Sequence, residues 1–90
     1  MREPRFDKTA LPAPPAYFES IGNPLKGPGP WRNAVCPFHD DTRPSLRVRV
    51  DTGAYRCMAC GAHGGDVLDY HQQRTGKGFV QAARELGAWQ

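Results

Sequence analysis

Four side chains in this sequence have the types and the spacing to hold a metal ion: Cys36, His39, Cys57 and Cys60. Cys36-Pro37-Phe38-His39 and Cys57-Met58-Ala59-Cys60 each leave two residues between potential ligands, and seventeen residues separate the pairs. A two-residue gap in a tight knuckle lets both side chains converge on one ion. The insert is the right length for a β-hairpin that returns the second pair to the first. Three thiolates and an imidazole make a closed, tetrahedral site for one structural Zn²⁺, with no position left for water. Structural zinc contributes roughly 10–16 kcal/mol in small peptides, which rivals the roughly 5–15 kcal/mol total stability of an ordinary domain. The metal-free chain is therefore expected not to fold. A Cys57–Cys60 disulfide and a redox-active CxxC are the competing uses of the same residues. His63, three residues after Cys60, competes with His39 for the fourth place, but each knuckle must supply two ligands and only His39 can partner Cys36. His71 reads as an inner-face or boundary helix residue.

The size of the chain explains why a metal would be needed. Ninety residues make one small domain, and a domain of that size buries too little surface for a self-sufficient core. Three cysteines do not close a fully paired disulfide framework. The N-terminus MREPRFDK lacks the apolar run of a secretion signal, and no segment approaches a membrane span. The expectation is a soluble, cytoplasmic protein with no membrane partner. The formal charge is +3; three thiolates around Zn²⁺ leave that centre at about −1 and bring the total to about +2. A mildly basic balance permits nucleic acid without requiring it.

The elements that must position the ligands follow from the pattern. Residues 1–30 hold seven of the nine prolines and read as a Pro-rich arm. A helical turn or two can start at Pro15 and carry Tyr17, Phe18 and Ile21, either docked on the folded part or free. Residues 31–90 form the folded unit. Trp31–Val35 reads as a short strand entering the first knuckle. Ser45–Val50 alternates, with Leu46, Val48 and Val50 inward and Arg47 and Arg49 outward. Asp51-Thr52-Gly53 is a tight turn, and Ala54–Cys57 returns as a strand ending in the second knuckle. Asp66 suits the start of a helix whose inner face carries Val67, Leu68 and His71. Gly76 to Gly78 break it, and a last helix places Phe79, Ala82, Ala83 and Leu86 on one stripe before Gly87. The fold class is a small α+β zinc ribbon, a short antiparallel sheet with metal knuckles followed by two C-terminal helices.

The stretch Cys-Pro-Phe-His-Asp-Asp-Thr-Arg-Pro-Ser-Leu (36–46), with Tyr-Arg-Cys-Met-Ala-Cys-Gly-Ala-His-Gly-Gly-Asp (55–66), resembles the CHC2-type zinc-binding domain of bacterial and phage DnaG-type primases. The likeness continues through Val67-Leu68-Asp69-Tyr70 and weakly from Phe79 to Leu86, covering about residues 31–87. It implies a zinc ribbon that contacts single-stranded template and helps choose where primers start. Two departures stand out. The family's primases continue into a catalytic domain with Mg²⁺-binding acidic residues, whereas this sequence ends at Gln90, so no enzyme activity is carried over. The helix that usually precedes the ribbon is replaced by the Pro-rich arm. Asp40-Asp41 reads as a solvated turn rather than a catalytic Mg²⁺ site.

The leading functional expectation is a zinc-dependent DNA-binding accessory to primase or replication machinery. Single-stranded DNA would lie on Arg43, Arg47, Arg49 and Arg56 with Tyr55, because basic residues among aromatics form the usual surface for single strands. Trp31 and Phe38 lie on neighbouring elements. A primase catalytic subunit or a replicative helicase is the expected protein partner. The alternative is a protein-interaction adaptor whose arm, through Tyr17, Phe18 and Ile21, orders on a helicase, polymerase or regulator. A zinc hydrolase or deaminase fits poorly, since the site is fully ligated and lacks a nearby general base.

Overall fold

The computed structural model describes residues 5–39 and 44–89. Four antiparallel strands lie in sequence order: β1 (Trp31–Ala34), β2 (Leu46–Arg49), β3 (Tyr55–Cys57) and β4 (His63–Gly64). A one-turn 3₁₀ helix (Lys8–Ala10) and α1 (Pro14–Ser20) precede the sheet, and α2 (Val67–Thr75) and α3 (Phe79–Glu85) follow it. Three strands were expected; the two-residue β4 is too short to show any alternation of its own. The expected strand over Ser45–Val50 is trimmed at both ends, and Val50 sits in the turn rather than on the inner face.

Alternation decides which side of the sheet is covered. Ala34, Leu46 and Cys57 face each other across β1, β2 and β3, and Val48 faces Tyr55. All five are buried, against Tyr17 and Phe18 of α1 and Val67 and Tyr70 of α2. Tyr70 is the hub, with Phe18, Tyr55, Phe38 and Tyr17 around it at ring separations of 4.6, 5.2, 5.9 and 5.9 Å. A second cluster joins Leu68 of α2 to Ala82 and Ala83 of α3, with Phe6, Leu11, Leu86 and Trp89 packed on it.

The short helix expected near Pro15 is present as α1. Pro14 and Pro15 occupy its first positions, where the missing N–H costs nothing. Of the two arrangements open for Tyr17 and Phe18, the docked one is present: both are buried. A chain of side-chain bonds then ties three helices together. The Tyr17 hydroxyl lies 2.8 Å from His71 Nδ1, and His71 Nε2 lies 2.7 Å from Glu85 Oε1. A carboxylate only accepts, so in the neutral ring Nε2 donates to Glu85 and Nδ1 accepts from Tyr17. Lys77 caps the chain on the other Glu85 oxygen. His71 is thus the inner-face helix residue that the pattern indicated.

Helix α2 opens on Asp66, whose side chain accepts from the Asp69 N–H at 2.8 Å, while Asp69 accepts from the Gly65 N–H at 3.0 Å. This reciprocal cap satisfies two donors that a helix start leaves open. Two glycines upstream are dictated by space. Gly53 has φ of +78° and a Cβ there would stand 2.9 Å from the Val67 nitrogen; at Gly64 it would stand 2.6 Å from the Tyr55 ring. The Asn23 side chain bonds both backbone groups of Val35, donating to its carbonyl at 2.7 Å and accepting from its N–H at 3.1 Å.

Candidate metal centre and nucleic-acid face

Each knuckle is a turn at the end of a strand. The first leaves β1 and turns through Pro37 and Phe38 to His39, with Phe38 braced against Tyr70. The second turns through Met58 to Cys60, closed by Gly61 N–H on the Cys57 carbonyl at 3.0 Å and by Cys57 N–H on the Ala62 carbonyl at 2.7 Å. Pairing of β2 with β3 places Leu46 beside Cys57, and Met58 N–H bonds the Ser45 carbonyl at 2.9 Å. The hairpin therefore carries the second knuckle back onto the first.

The result is one cluster: the ligand atoms of Cys36, His39, Cys57 and Cys60 all lie within 4.8 Å of one another. The donor set fits a tetrahedral ion. Zn–S bonds of about 2.3 Å and Zn–N bonds of about 2.0 Å give tetrahedral edges of about 3.8 Å between sulfurs and about 3.5 Å between sulfur and nitrogen. Cys36 and Cys60 sulfurs stand 3.8 Å apart, and His39 Nε2 stands 3.3 Å from Cys57 Sγ. The sulfur spacing is nearly twice an S–S bond of about 2.04 Å. His63 lies elsewhere, exposed on β4 with Nδ1 3.0 Å from the Gly61 carbonyl oxygen.

Burial opposes ionisation of Cys36, and the thiol is pushed up to about 12. At Cys57 burial pulls the same way but is outweighed by hydrogen bonds from the Ser45 hydroxyl and from the Cys60 and Ala59 N–H groups, which bring the thiol down to about 5. A divalent cation bound here would supply the positive charge that favours the thiolate form of its ligands. Ser45, whose hydroxyl is 3.4 Å from both Cys57 Sγ and His39 Nε2, was not foreseen as part of this centre.

The uncovered face of the sheet carries the cations. Asn33, Arg47, Arg56 and His63 are successive register partners on β1 to β4, so they form one row across the strands. Adjacent strands lie about 4.8 Å apart, so this row spans about 14 Å. The sequence suggested instead that Arg47 and Arg49 act together along one strand. They do share the outer face, but Arg49 Nε is ion-paired with Asp51 Oδ1 at 2.7 Å. Tyr55 requires a correction as a DNA-contacting residue. It is opposite Val48 on the inner face, 2% exposed, with its ring edge-on to Tyr70, so no base can reach it. Arg43 and Asp40-Asp41 lie outside the described residues. Asn33 and His63 were missed as row members because only the strand register, not the pattern within a strand, brings them beside the arginines.

Comparison with known proteins agrees with this geometry. The CHC2 zinc finger family matches residues 24–89. The DNA primase of Escherichia coli K12 is 38% identical over 64 residues, covering 71% of this chain and 11% of that protein. The DNA primase of Thermotoga maritima is 42% identical over 53 residues, 59% of this chain and 9% of that protein. That of Lactococcus lactis is 38% identical over 52 residues, 58% of this chain and 8% of that protein. The chain thus spans about a tenth of the length of these relatives, and what it shares with them is the zinc-finger module rather than the catalytic domain. With the Cys₃His cluster assembled on an antiparallel sheet and followed by two helices, the chain belongs to the CHC2 zinc finger family and is related to bacterial DnaG-type primases.

Proposed function

We propose that this chain is a single-strand-DNA-binding module that serves the priming of DNA synthesis, built around one structural Zn²⁺ held by Cys36, His39, Cys57 and Cys60. The metal's role is to fix both ends of the hairpin that presents the cationic face; a closed four-ligand site leaves it no substrate to activate. The observation that carries the reading is the pairing of Arg47 with Arg56 in the middle of the exposed face. Two guanidiniums side by side on neighbouring strands repel each other unless an anion sits between or along them, and a phosphodiester backbone is such an anion. The relatives named DNA primases support assigning this anion to a template strand. A cytoplasmic setting and a primase catalytic subunit or replicative helicase as partner complete the proposal. Among the described residues no helix is long and apolar enough to cross a membrane.

The test is a titration with single-stranded oligonucleotides over a range of salt. Each phosphate contact contributes about −0.7 to the slope of log affinity against log salt. Replacing Arg47 and Arg56 by alanine should weaken binding and flatten the slope by about 1.4 while zinc content stays at one per chain. An unchanged affinity and slope in the zinc-loaded double variant would overturn the reading. The adaptor alternative rested on Tyr17, Phe18 and Ile21 waiting for a partner, and two of these are already committed to the core.

A further inference from the structure

We propose that Trp31 is a stacking position for one unpaired nucleobase, at the corner of the face where Arg47 and Arg56 take the phosphates. The inference rests on the reading of that face as a single-strand surface and adds where a base, rather than the backbone, is held.

Trp31 opens β1 on the outer side of the sheet and remains 38% exposed. It makes no ring–ring contact with another aromatic among the described residues. The contrast with Phe79 is informative, since that exposed ring is engaged by Phe6 at 5.1 Å and by Trp89 at 6.4 Å. Backbone bonds hold the start of β1 in place: Val50 N–H donates to the Pro30 carbonyl at 2.9 Å, just before Trp31. The indole is therefore carried on a fixed strand rather than on a loose loop.

Charge separates this corner from the rest of the face. Arg49 is the register partner of Trp31, and its guanidinium lies 6.0 Å from the indole centroid. The same guanidinium is neutralised by Asp51 at 2.7 Å. The Trp31–Arg49–Asp51 corner is thus aromatic and has no net charge, which suits a base and not a phosphate. Two residues along β1, about 7 Å away, begins the row of Asn33, Arg47, Arg56 and His63, which has the opposite character. A single strand needs both kinds of surface at about that separation, because its charged backbone and its flat, uncharged bases alternate along the chain.

Stacking of a base on an aromatic side chain is worth about 1–3 kcal/mol, or about five- to a hundredfold in affinity. The experiment compares oligothymidylate with an abasic strand of the same length and charge, in a Trp89→Phe background where Trp31 is the only indole. The reference protein should bind oligothymidylate about five- to a hundredfold better than the abasic strand, with quenching of Trp31 fluorescence. Trp31→Ala should lose that preference while keeping its zinc and its salt slope, and Trp31→Phe should restore part of it. Equal preference in Trp31→Ala, or tight binding without quenching, would overturn the stacking position and leave the cationic face standing. Failure of every oligonucleotide to bind at low salt would overturn both readings.

Discussion

At the knuckle end, four side chains converge while Pro37, Met58 and Ala59 between them stay in water, Met58 at 69% exposure being the clearest case, and Phe38 alone turns in to the core. At the helical end, Phe18 and Tyr70 are sealed completely, and Tyr17, His71 and Glu85 join α1, α2 and α3 through hydrogen bonds. The first end has ligands but little apolar cover; the second has apolar cover and no ligand of its own. The two meet at Cys36 and Cys57, which belong to the metal cluster and to the hydrophobic core at once. In the proposed reading, a metal at the cluster fixes the tips while helices hold the back, which lets a short chain leave one sheet face exposed.

The sharpest way to break this division is to remove the metal. Chelation, or Cys57→Ser, should collapse the dispersion of the amide NMR spectrum, since roughly 10–16 kcal/mol of metal binding rivals the whole stability of a domain of this size. Loss should extend to the helical end, because Cys57 is shared. A metal-free protein with native-like dispersion would show the helical end to be self-sufficient. The next largest effect belongs to the back of the sheet. Phe18→Ala should cost about 3–5 kcal/mol in denaturant unfolding of the zinc-loaded protein. Little or no loss would mean that α1 is an ornament on the sheet rather than part of its support.

The smallest effect sharpens the contrast through pH. Hydrogen bonding and charge from Lys77, then from His71, hold the Glu85 carboxyl below its ordinary value of 4.5. A depressed folded value means that ionised Glu85 stabilises the fold above about pH 4.5, and that this contribution is lost as pH falls through the folded value. Tyr17 and Arg74 face the same histidine. Over the range in which both proteins keep their zinc, the wild type should melt above Glu85→Gln, with the gap constant above pH 4.5 and narrowing only below it. Metal content is measured at each pH, and only points at which both proteins keep one zinc per chain are compared, because acid loss of the metal would unfold both. A constant difference across that range would show that Glu85 acts only through packing.

How much of this was legible in the sequence depends on the range of the cause. The four ligands could be read because knuckle spacing is local, and the inward Leu46 and Val48 because alternation is local. Asp66 as a cap and Gly87 as a stop were visible for the same reason. Tyr55 was misread because an aromatic beside a cation looks alike on either face until its partner, Val48, is known. The salt bridge from Arg49 to Asp51 crosses a turn and could have been suspected from their spacing. Docking of Tyr17 onto His71 joins residues 54 apart in sequence, and nothing local to either announces it.

The Asn23 side chain has one more consequence. A strand at the rim of a sheet offers its unpaired peptide groups to any passing chain, and such rims seed self-association. Asn23 presents an amide to Val35 much as a neighbouring strand would, and Lys26 pairs with Asn33 through both of their backbone groups. On the far rim, Gln73 donates to the carbonyl of His63 at 3.0 Å. Groups on both borders of this small sheet are thereby bonded from within the chain. The protein leaves one broad face of the sheet open while its own side chains occupy part of the narrow sides along which copies of itself would pair.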